Sequence, residues 1–268
     1  MMITGNSLGS VWKRGAAAFG AIIVLLCSQS HLSAQTASTA WKAIDTNSLE
    51  DWSDPSTVWH SEEGVIYADS KGSDTASKVS YLMWDGAIKG SYELVLEYRM
   101  IAKEPQDAGI YFGAERPSAE KLKQMGKDGE NILGLQAELD TCNMHSDKWW
   151  AKQGKFYGHI HDGKRSRMYK RDTKLTISAN GSMSKEKLPK RFLAPKAFKE
   201  PPAWNAVRIL VEGDRTRLYL NGQLANDITD LDINGRPNGD AVVLQFRPQR
   251  PYRFAVKAMK YRQLRASR

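Results

Sequence analysis

The most constraining feature of this chain is the alternation of side-chain polarity over residues 91–101. From residue 92 to residue 100 every second residue is apolar or aromatic, and three of the four residues between them are charged. A period of two places the two sets on opposite faces of a β-strand, so that one face is buried and the other is exposed. We therefore predict that Tyr92, Leu94 and Leu96 face a core between two packed sheets.

About a dozen short segments with this strand character follow one another after residue 40, and turn residues separate them. Asn221-Gly222 is the strongest two-residue hairpin signal in the chain, and Glu62-Glu63-Gly64 marks another hairpin. Many short strands with few helical segments predict an all-β domain, either a sandwich or a barrel. A jelly-roll sandwich of two antiparallel sheets fits the length best, and the concave face of one sheet is the natural ligand surface.

The N-terminus has the pattern of a targeting segment. The basic pair Lys13-Arg14 precedes an apolar run over residues 15–27, which is too short to span a bilayer, and a small-residue cleavage site ends at Ala34. No later stretch is apolar enough to span a membrane, so we expect a secreted or periplasmic protein. The predicted organisation is a signal peptide (1–34), a linker (35–40) and one domain (41–266).

Positive charge is concentrated in one segment. The formal net charge is +9, and residues 164–199 contain 12 Lys or Arg against only Asp172 and Glu186. We interpret this segment as a solvated, mobile insertion that is dispensable for folding. The alternative is a surface for an anionic partner, such as an acidic polysaccharide or a membrane. No nucleic-acid-binding motif accompanies the charge, so nucleic acid is not an expected partner.

Polar side chains with catalytic potential are concentrated in two alternating runs, residues 133–140 and 156–162. If both runs are strands of one sheet, a carboxamide, two carboxylates, a phenol and two imidazoles share one surface. A single run of this kind is more often a simply solvated face, whereas two runs with clustered aromatic residues make a functional site an equal alternative. The residues concerned are Gln136, Glu138 and Asp140 in the first run, and Tyr157, His159 and His161 in the second.

Four stretches follow one another in a recognisable order: residues 90–99 with 108–112, residues 134–138, residues 155–158 leading into His161-Asp162, and residues 204–222 with 243–247. Over about residues 41–265, their order and spacing resemble the 3-keto-disaccharide hydrolase family. This resemblance implies a concanavalin A-like jelly roll. It also implies a carbohydrate substrate and the cleavage of glycosides that are oxidised to a ketone at sugar carbon 3.

The chemistry implied by the resemblance requires a base near C2, an acid for the leaving oxygen and donors for the developing enolate. Glu138 is the candidate base, His161 is the candidate acid or second base, and Asp140 is a further catalytic candidate. The other candidates would bind sugar hydroxyls, the enolate oxygen or the sugar ring. These are Gln136, Trp149, Tyr157, His159, Gln245 and Arg247.

Two alternatives remain at this stage. His159 and His161 together with Glu138 could chelate a divalent metal ion, although histidines spaced in this way more often bind none. The chain could also be a non-catalytic, lectin-like module that stacks sugar rings on Trp149 and Tyr157. The concentration of titratable groups favours the enzyme, because a binding module needs aromatic rings and amides but few ionisable side chains.

Overall fold

A computed structural model describes residues 40–53, 58–70, 79–101, 107–116, 118, 120, 132–139, 156–192, 197–200, 202–247 and 252–265. The predicted signal peptide and nearly all of the predicted linker lie outside these ranges. Within them, we find no helix with the length and apolar character needed to cross a membrane.

Seventeen strands occur in the described ranges, and we number them in chain order. They are β1 (Lys42–Ala43), β2 (Trp52–Ser53), β3 (Trp59–Glu62), β4 (Val65–Ser70), β5 (Ser80–Trp84), β6 (Tyr92–Ile101), β7 (Ala108–Ala114), β8 (Leu135–Glu138), β9 (Ile160–Asp162), β10 (Arg167–Tyr169), β11 (Thr173–Ile177), β12 (Met183–Lys187), β13 (Asn205–Glu212), β14 (Arg215–Leu220), β15 (Gln223–Asp230), β16 (Ala241–Phe246) and β17 (Tyr252–Gln263).

The strands form two sheets, as the alternating pattern predicts. The larger sheet has the order β12-β11-β15-β14-β13-β6-β17-β4-β3, with β1 also paired to β17, and the smaller has the order β10-β9-β8-β7-β16-β5-β2. Every pairing between described strands is antiparallel except β11 with β15, which is parallel. The predicted all-β architecture of two mainly antiparallel sheets is confirmed.

The main core lies between the two sheets and includes the alternate residues of β6. Tyr92, Leu94 and Leu96 are 3%, 0% and 2% exposed, which confirms the face predicted from the sequence. From the smaller sheet, Ile110 and Leu244 belong to the same buried cluster. Complete burial of such a side chain contributes about 1.5–3 kcal/mol relative to exposure, so this interface is the main source of the fold's stability.

Both predicted hairpin turns are confirmed. Asn221 and Gly222 connect β14 to β15 with φ values of 47° and 78°. Glu63 and Gly64 connect β3 to β4 in the same way, with φ values of 49° and 76°. Positive φ at both central residues gives the turn a twist that matches the twist of the flanking strands, which explains the strength of the Asn-Gly signal.

The interpretation of residues 164–199 as a mobile, dispensable insertion is wrong. The segment contains β10, β11 and β12, and β11 pairs along its whole length with β15. Leu175 and Ile177 of β11, and Phe192 and Phe198 after β12, belong to the main core. The many charges conceal a period-two pattern in which the apolar residues of β11 point inward.

A largely buried ionic cluster around Arg165 holds the start of this segment to the rest of the domain. The Arg165 guanidinium donates to Asp162 at 2.8 Å, to Asp230 at 2.8 and 3.1 Å, and to Asp232 at 3.1 Å. Tyr169 donates its hydroxyl to Asp162 at 2.7 Å. Burial opposes the charge of Arg165, but the hydrogen bonds to these carboxylates outweigh burial and raise its pKa. The cluster links β9 and β10 of the smaller sheet to the end of β15 in the larger one.

Candidate active site

The smaller sheet carries a row of polar side chains on its outer face, away from the main core. Gln136 of β8 lies opposite His161 of β9, and Glu138 of β8 lies opposite Gly109 of β7. On the other side of β7, Gly109 lies opposite Gln245 of β16. Residues directly opposite one another on adjacent strands project to the same face, so the pairing collects these side chains from three strands.

These side chains line one cavity of about 320 Å³. The cavity contains five of the residues that the sequence singled out, although they are as far apart in the chain as residues 136 and 247. Its lining consists of Tyr81, Asp107, Tyr111, Gln136, Glu138, Phe156, His161, Met168, Gln245 and Arg247. The convergence expected from the sequence is therefore present in the fold, whereas the chemical role of each residue remains a prediction.

The polar groups at the base of the cavity are buried. Gln136, Glu138 and Gln245 are 3%, 6% and 4% exposed, so the simple solvated face considered above does not describe them. Burial of amides and carboxylates is unfavourable unless hydrogen bonds compensate for lost water. Gln136 Nε2 donates to Gln245 Oε1, which joins β8 to β16 across the intervening β7. A carboxylate that is buried at the base of a cavity, as Glu138 is, is typical of a functional site.

Gly109 is the reason that this amide contact can cross β7. A Cβ atom placed at Gly109 would lie 2.4 Å from Gln136 Nε2 and 3.0 Å from the carbonyl oxygen of Ala137. The absence of a side chain at this position therefore leaves the space that the Gln136 carboxamide occupies on its way to Gln245. Gly109 therefore lies between Gln136 and Gln245 without blocking the contact between their side chains.

Arg247 and Asp107 form a pair at the edge of the cavity. Arg247 Nε lies 3.0 Å from Asp107 Oδ2, and the backbone amide of Arg247 donates to the carbonyl of Asp107 at 3.1 Å. The two side chains are 24% and 40% exposed. The Asp107 carboxylate thus holds the Arg247 guanidinium at the cavity edge, just after the end of β16. The guanidinium remains accessible to a ligand there.

Two tyrosines that line the cavity were missed by the sequence analysis. Tyr81 and Tyr111 are 2% and 5% exposed, and their rings pack edge to face with centroids 6.2 Å apart. Each stands in a strand that is apolar on both faces, so no polar alternation distinguishes the cavity side from the core side. Asp107, Phe156 and Met168 were missed as well. Asp107 lies just before β7, and Met168 lies in β10, after the predicted polar run. Phe156 lies inside the predicted run, but the alternation placed it on the face opposite to His161.

The predicted run over residues 156–162 is not one continuous strand. Residues 156–158 form a turn, Gly158 has a φ of 79°, and β9 begins only at Ile160. The turn breaks the alternation, so the expected shared face of Tyr157, His159 and His161 does not exist. Of these three side chains, only His161 lines the cavity.

Tyr157 is a core residue, which corrects its assignment as a sugar-stacking ring. It is 0% exposed and packs against Phe192 and Phe198, with ring centroids 6.1 and 5.4 Å away. Its burial follows from the turn, which directs it between the sheets. The other two predictions for this region, Asp140 and Trp149, lie outside the described residues.

His159 is also absent from the cavity lining, so it does not share a ligand position with His161. Its carbonyl accepts a hydrogen bond from the Glu138 amide at 3.1 Å, and its amide donates to the Phe156 carbonyl at 2.7 Å. The proposed metal set of Glu138, His159 and His161 is therefore not assembled. In the described ranges, no group of three or more His, Cys, Asp or Glu residues is arranged to hold a metal ion.

The His159 ring is held in its neutral form. Burial, followed by the positive charge of Arg171, lowers its pKa to about 4. The Nδ1 atom is buried without a hydrogen-bond partner in the described part of the chain. Protonation would place a second positive charge near Arg171 and Lys170, at a residue whose backbone carbonyl accepts the Glu138 amide.

We expect His159 to make the protein less stable in acid. Its folded-state pKa of about 4 lies below the usual value of about 6.5, so the unfolded chain binds the proton more readily. Stability from this residue is complete above pH 6.5 and falls between pH 6.5 and pH 4, by up to about 3 kcal/mol. Urea unfolding of the wild type and His159→Gln at pH 7 and pH 4.5 measures the effect. An identical acid loss in both proteins would contradict it.

The sequence profile of the 3-keto-alpha-glucoside-1,2-lyase-like domain matches residues 39–265 of this chain. A comparison with curated proteins finds no match.

Many solved structures are similar to this chain, and three of them illustrate the shared fold. A candidate glycosyl hydrolase from Parabacteroides distasonis is 16% identical, with a TM-score of 0.52 over 84% of this chain and 100% of its own. A galectin-like protein of unknown function from Bacillus subtilis is 9% identical, with a TM-score of 0.55 over 86% and 98%. The β-agarase A of Zobellia galactanivorans is 7% identical, with a TM-score of 0.50 over 85% and 94%. At these identities the similarity establishes the jelly-roll sandwich alone.

Proposed function

The chain belongs to the 3-keto-alpha-glucoside-1,2-lyase-like domain family, and on this basis we propose that it cleaves glycosides whose sugar is oxidised to a ketone at carbon 3. The observation that carries the proposal is the presence of Glu138 and His161 in one cavity with amide and guanidinium groups. A carboxylate, an imidazole and nearby hydrogen-bond donors are the groups needed to remove a proton beside a ketone and to stabilise the resulting enolate.

The proposed reaction is an elimination followed by addition of water. The ketone at C3 acidifies the proton on C2, and Glu138 removes that proton to form an enolate. The electron pair of the enolate then forms the C1–C2 double bond, while the bond from C1 to the leaving oxygen breaks and His161 protonates that oxygen. Water adds to C1 of the enone, and a proton returns to C2. The net result is hydrolysis of the glycosidic bond.

The remaining cavity residues have binding roles in this proposal. Because Gln136 uses its amide nitrogen to contact Gln245, the Gln136 carbonyl and the Gln245 amide nitrogen are oriented to bind sugar hydroxyls. The Arg247 guanidinium offers positive charge and donors for the enolate oxygen. Tyr81 and Tyr111 supply the apolar ring surface that the sequence analysis had sought in Trp149 and Tyr157.

We further propose that the reaction takes place outside the cytoplasm. The support is the N-terminal pattern of a basic pair followed by a short apolar run and a small-residue cleavage site. A substrate in the periplasm or the medium would then reach the enzyme without crossing the inner membrane.

A panel of 3-keto-glycosides, assayed beside the unoxidised parent glycosides, tests the proposed function. We expect product release from the oxidised substrates only, because the parents lack an acidic C2 proton. Equal cleavage of the parents would indicate an ordinary glycosidase mechanism, which requires two carboxylates across the scissile bond. Binding of both sets without turnover, with and without added divalent cations, would favour the sugar-binding module instead.

A further inference from the structure

Six exposed basic side chains occupy one edge of the protein, where β10 of the smaller sheet meets the β11–β12 hairpin of the larger one. They belong to the positively charged segment 164–199, and the proposed reaction does not use them. We refer to the following set as the basic patch: Arg167, Lys170, Lys185, Lys187, Lys190 and Arg191.

Strand pairing places part of the patch on one side of the hairpin. β12 is the edge strand of the larger sheet, and Lys185 lies opposite Leu175, whose side chain points to the core. Because side chains alternate along a strand, Met183, Lys185 and Lys187 project to this same side. Arg167 of β10 lies across from them, since its Nη1 atom is 3.4 Å from Met183 Sδ.

The segment that follows β12 brings the remaining charges together. The amides of Leu188 and Phe192 donate to the backbone carbonyl and to the side chain of Asp172, at 3.3 and 2.9 Å. Both side chains are buried, at 5% and 4% exposure. These contacts hold residues 188–192 against the loop before β11, which also contains Lys170, so the segment with Lys190 and Arg191 packs next to that loop.

The charge of the patch is not neutralised by the described part of the chain. Glu186 pairs with Lys174 at 3.2 Å on the opposite side of the hairpin. Asp172 is occupied by the Phe192 amide. No described carboxylate forms an ion pair with a patch residue, so six like charges from three neighbouring segments repel one another. A polyanion that binds there relieves this repulsion. Protection of the β12 edge from aggregation is the other role that edge lysines have, but a few isolated lysines would suffice for it.

The basic patch adjoins the strand that lines the candidate active site. Met168, next to Arg167, lines the cavity and lies opposite His161, and alternation along β10 directs Arg167 to the other face of that strand. Arg171, next to Lys170, donates to the Tyr157 carbonyl at 2.9 Å. Phe156, which precedes Tyr157 in the chain, also lines the cavity. A linear polymer bound along the patch would therefore follow the edge of the protein next to the strands that line the cavity.

We propose that the basic patch binds an acidic polysaccharide, one that bears uronate or sulfate groups, at the edge of the protein that adjoins the cavity-lining strands. This inference rests on the proposed function, because the carbohydrate cavity identifies the class of polymer. A membrane fits less well, because a membrane-binding surface would also present apolar side chains that enter the bilayer. The exposed large hydrophobic residues of the described chain all lie in other segments: Trp41, Ile101, Leu133, Leu231 and Ile233. Single-stranded nucleic acid fits less well because the aromatic residues of this region, Tyr169 and Phe192, are buried and cannot stack on bases.

Binding of the purified protein to polygalacturonate, with dextran as the neutral polymer, tests the proposal. We expect binding to polygalacturonate alone, with an affinity that falls as NaCl is raised. The double variant Lys185→Gln/Lys187→Gln should weaken binding by about fivefold, since each exposed ionic contact is modest. The control Lys89→Gln/Lys260→Gln removes the same net charge from exposed lysines elsewhere and should bind like the wild type.

Several outcomes would overturn the proposal. Equal weakening in both double variants would show a response to net charge only, and absence of binding at low salt would show that the patch has no polysaccharide ligand. Tighter, patch-dependent binding to anionic phospholipid vesicles or to single-stranded DNA would assign the surface to that polymer instead. The binding assay uses an unoxidised polymer, so absence of polygalacturonate binding would not contradict the proposed cleavage of 3-keto-glycosides. Conversely, absence of cleavage would not change the interpretation of a positive binding result.

Discussion

Replacing Glu138 with Gln should reduce turnover of 3-keto-glycosides by about 10²–10⁴-fold, the usual contribution of a general base. Gln has the shape and hydrogen-bonding capacity of Glu but cannot accept the C2 proton. Glu138 is buried at the base of the cavity, and the only other carboxylate among the described lining residues is the more exposed Asp107. Steady-state kinetics should show the loss in kcat, whereas the affinity for the substrate should remain close to that of the wild type.

The matched control is Glu97→Gln, which removes a carboxylate from the larger sheet, where Glu97 pairs with Lys257 at 3.5 Å. We expect its turnover to equal that of the wild type, because neither residue lines the cavity. Unchanged turnover of every accepted substrate by Glu138→Gln would falsify the assignment of the base. Loss of both binding and turnover would indicate a role for Glu138 in holding the sugar.

The role of His161 can be separated from that of Glu138 with leaving groups of different basicity. If His161 protonates the departing oxygen, His161→Gln should impair substrates with alkyl leaving groups severely and substrates with a nitrophenyl leaving group only slightly. This difference arises because a weakly basic oxygen leaves without protonation. Equal impairment of both substrate types would instead indicate that His161 acts on the C2 proton or on binding.

Deleting residues 164–199 and closing the gap with a short Gly-Ser bridge should abolish cooperative unfolding. The deletion removes β10, β11 and β12 together with core residues such as Leu175 and Phe192. It also removes Arg165, which would leave the carboxylates of Asp162 and Asp230 buried without their cation, a change that typically costs about 3–5 kcal/mol. Losses of this size exceed what a domain with marginal stability tolerates.

Single substitutions in the same segment provide the quantitative form of this prediction. Phe192→Ala should lower the free energy of unfolding by about 3–5 kcal/mol, because a buried aromatic ring is lost beside Tyr157. Lys190→Ala, two residues away and exposed, should change it by less than about 0.5 kcal/mol. Thermal and urea unfolding measure both. A cooperative transition in the deletion variant, or similar effects from the two substitutions, would restore the view of an insertion outside the core.

Part of the candidate site could be predicted from the sequence because strand periodicity reports which residues share a face. Gln136 and Glu138 alternate with Ala137 and Leu139 in the sequence, and the structure buries the latter two in the main core. The same rule failed for Tyr157 and His159, because Gly158 adopts a positive φ and ends the regular alternation before β9 begins. A periodicity argument holds only while the backbone remains extended.

The amino-acid sequence by itself determined the all-β class, the inward face of β6 and the hairpins at Asn221-Gly222 and Glu63-Gly64. These properties depend on local sterics and on the polarity of neighbouring residues, so a short segment of sequence is enough to determine each of them. Family membership likewise depends on the order of such stretches along the chain.

Only the tertiary structure decided which strands are neighbours, and three functional features depend on that choice. It placed Gln245 beside Gln136 across Gly109, it selected Tyr81 and Tyr111 for the cavity from strands that are apolar on both faces, and it joined Arg165 to carboxylates some 65 residues away. Strand order and register arise from the packing of the whole chain, because a period of two specifies the face of a residue but not the strand that will lie next to it.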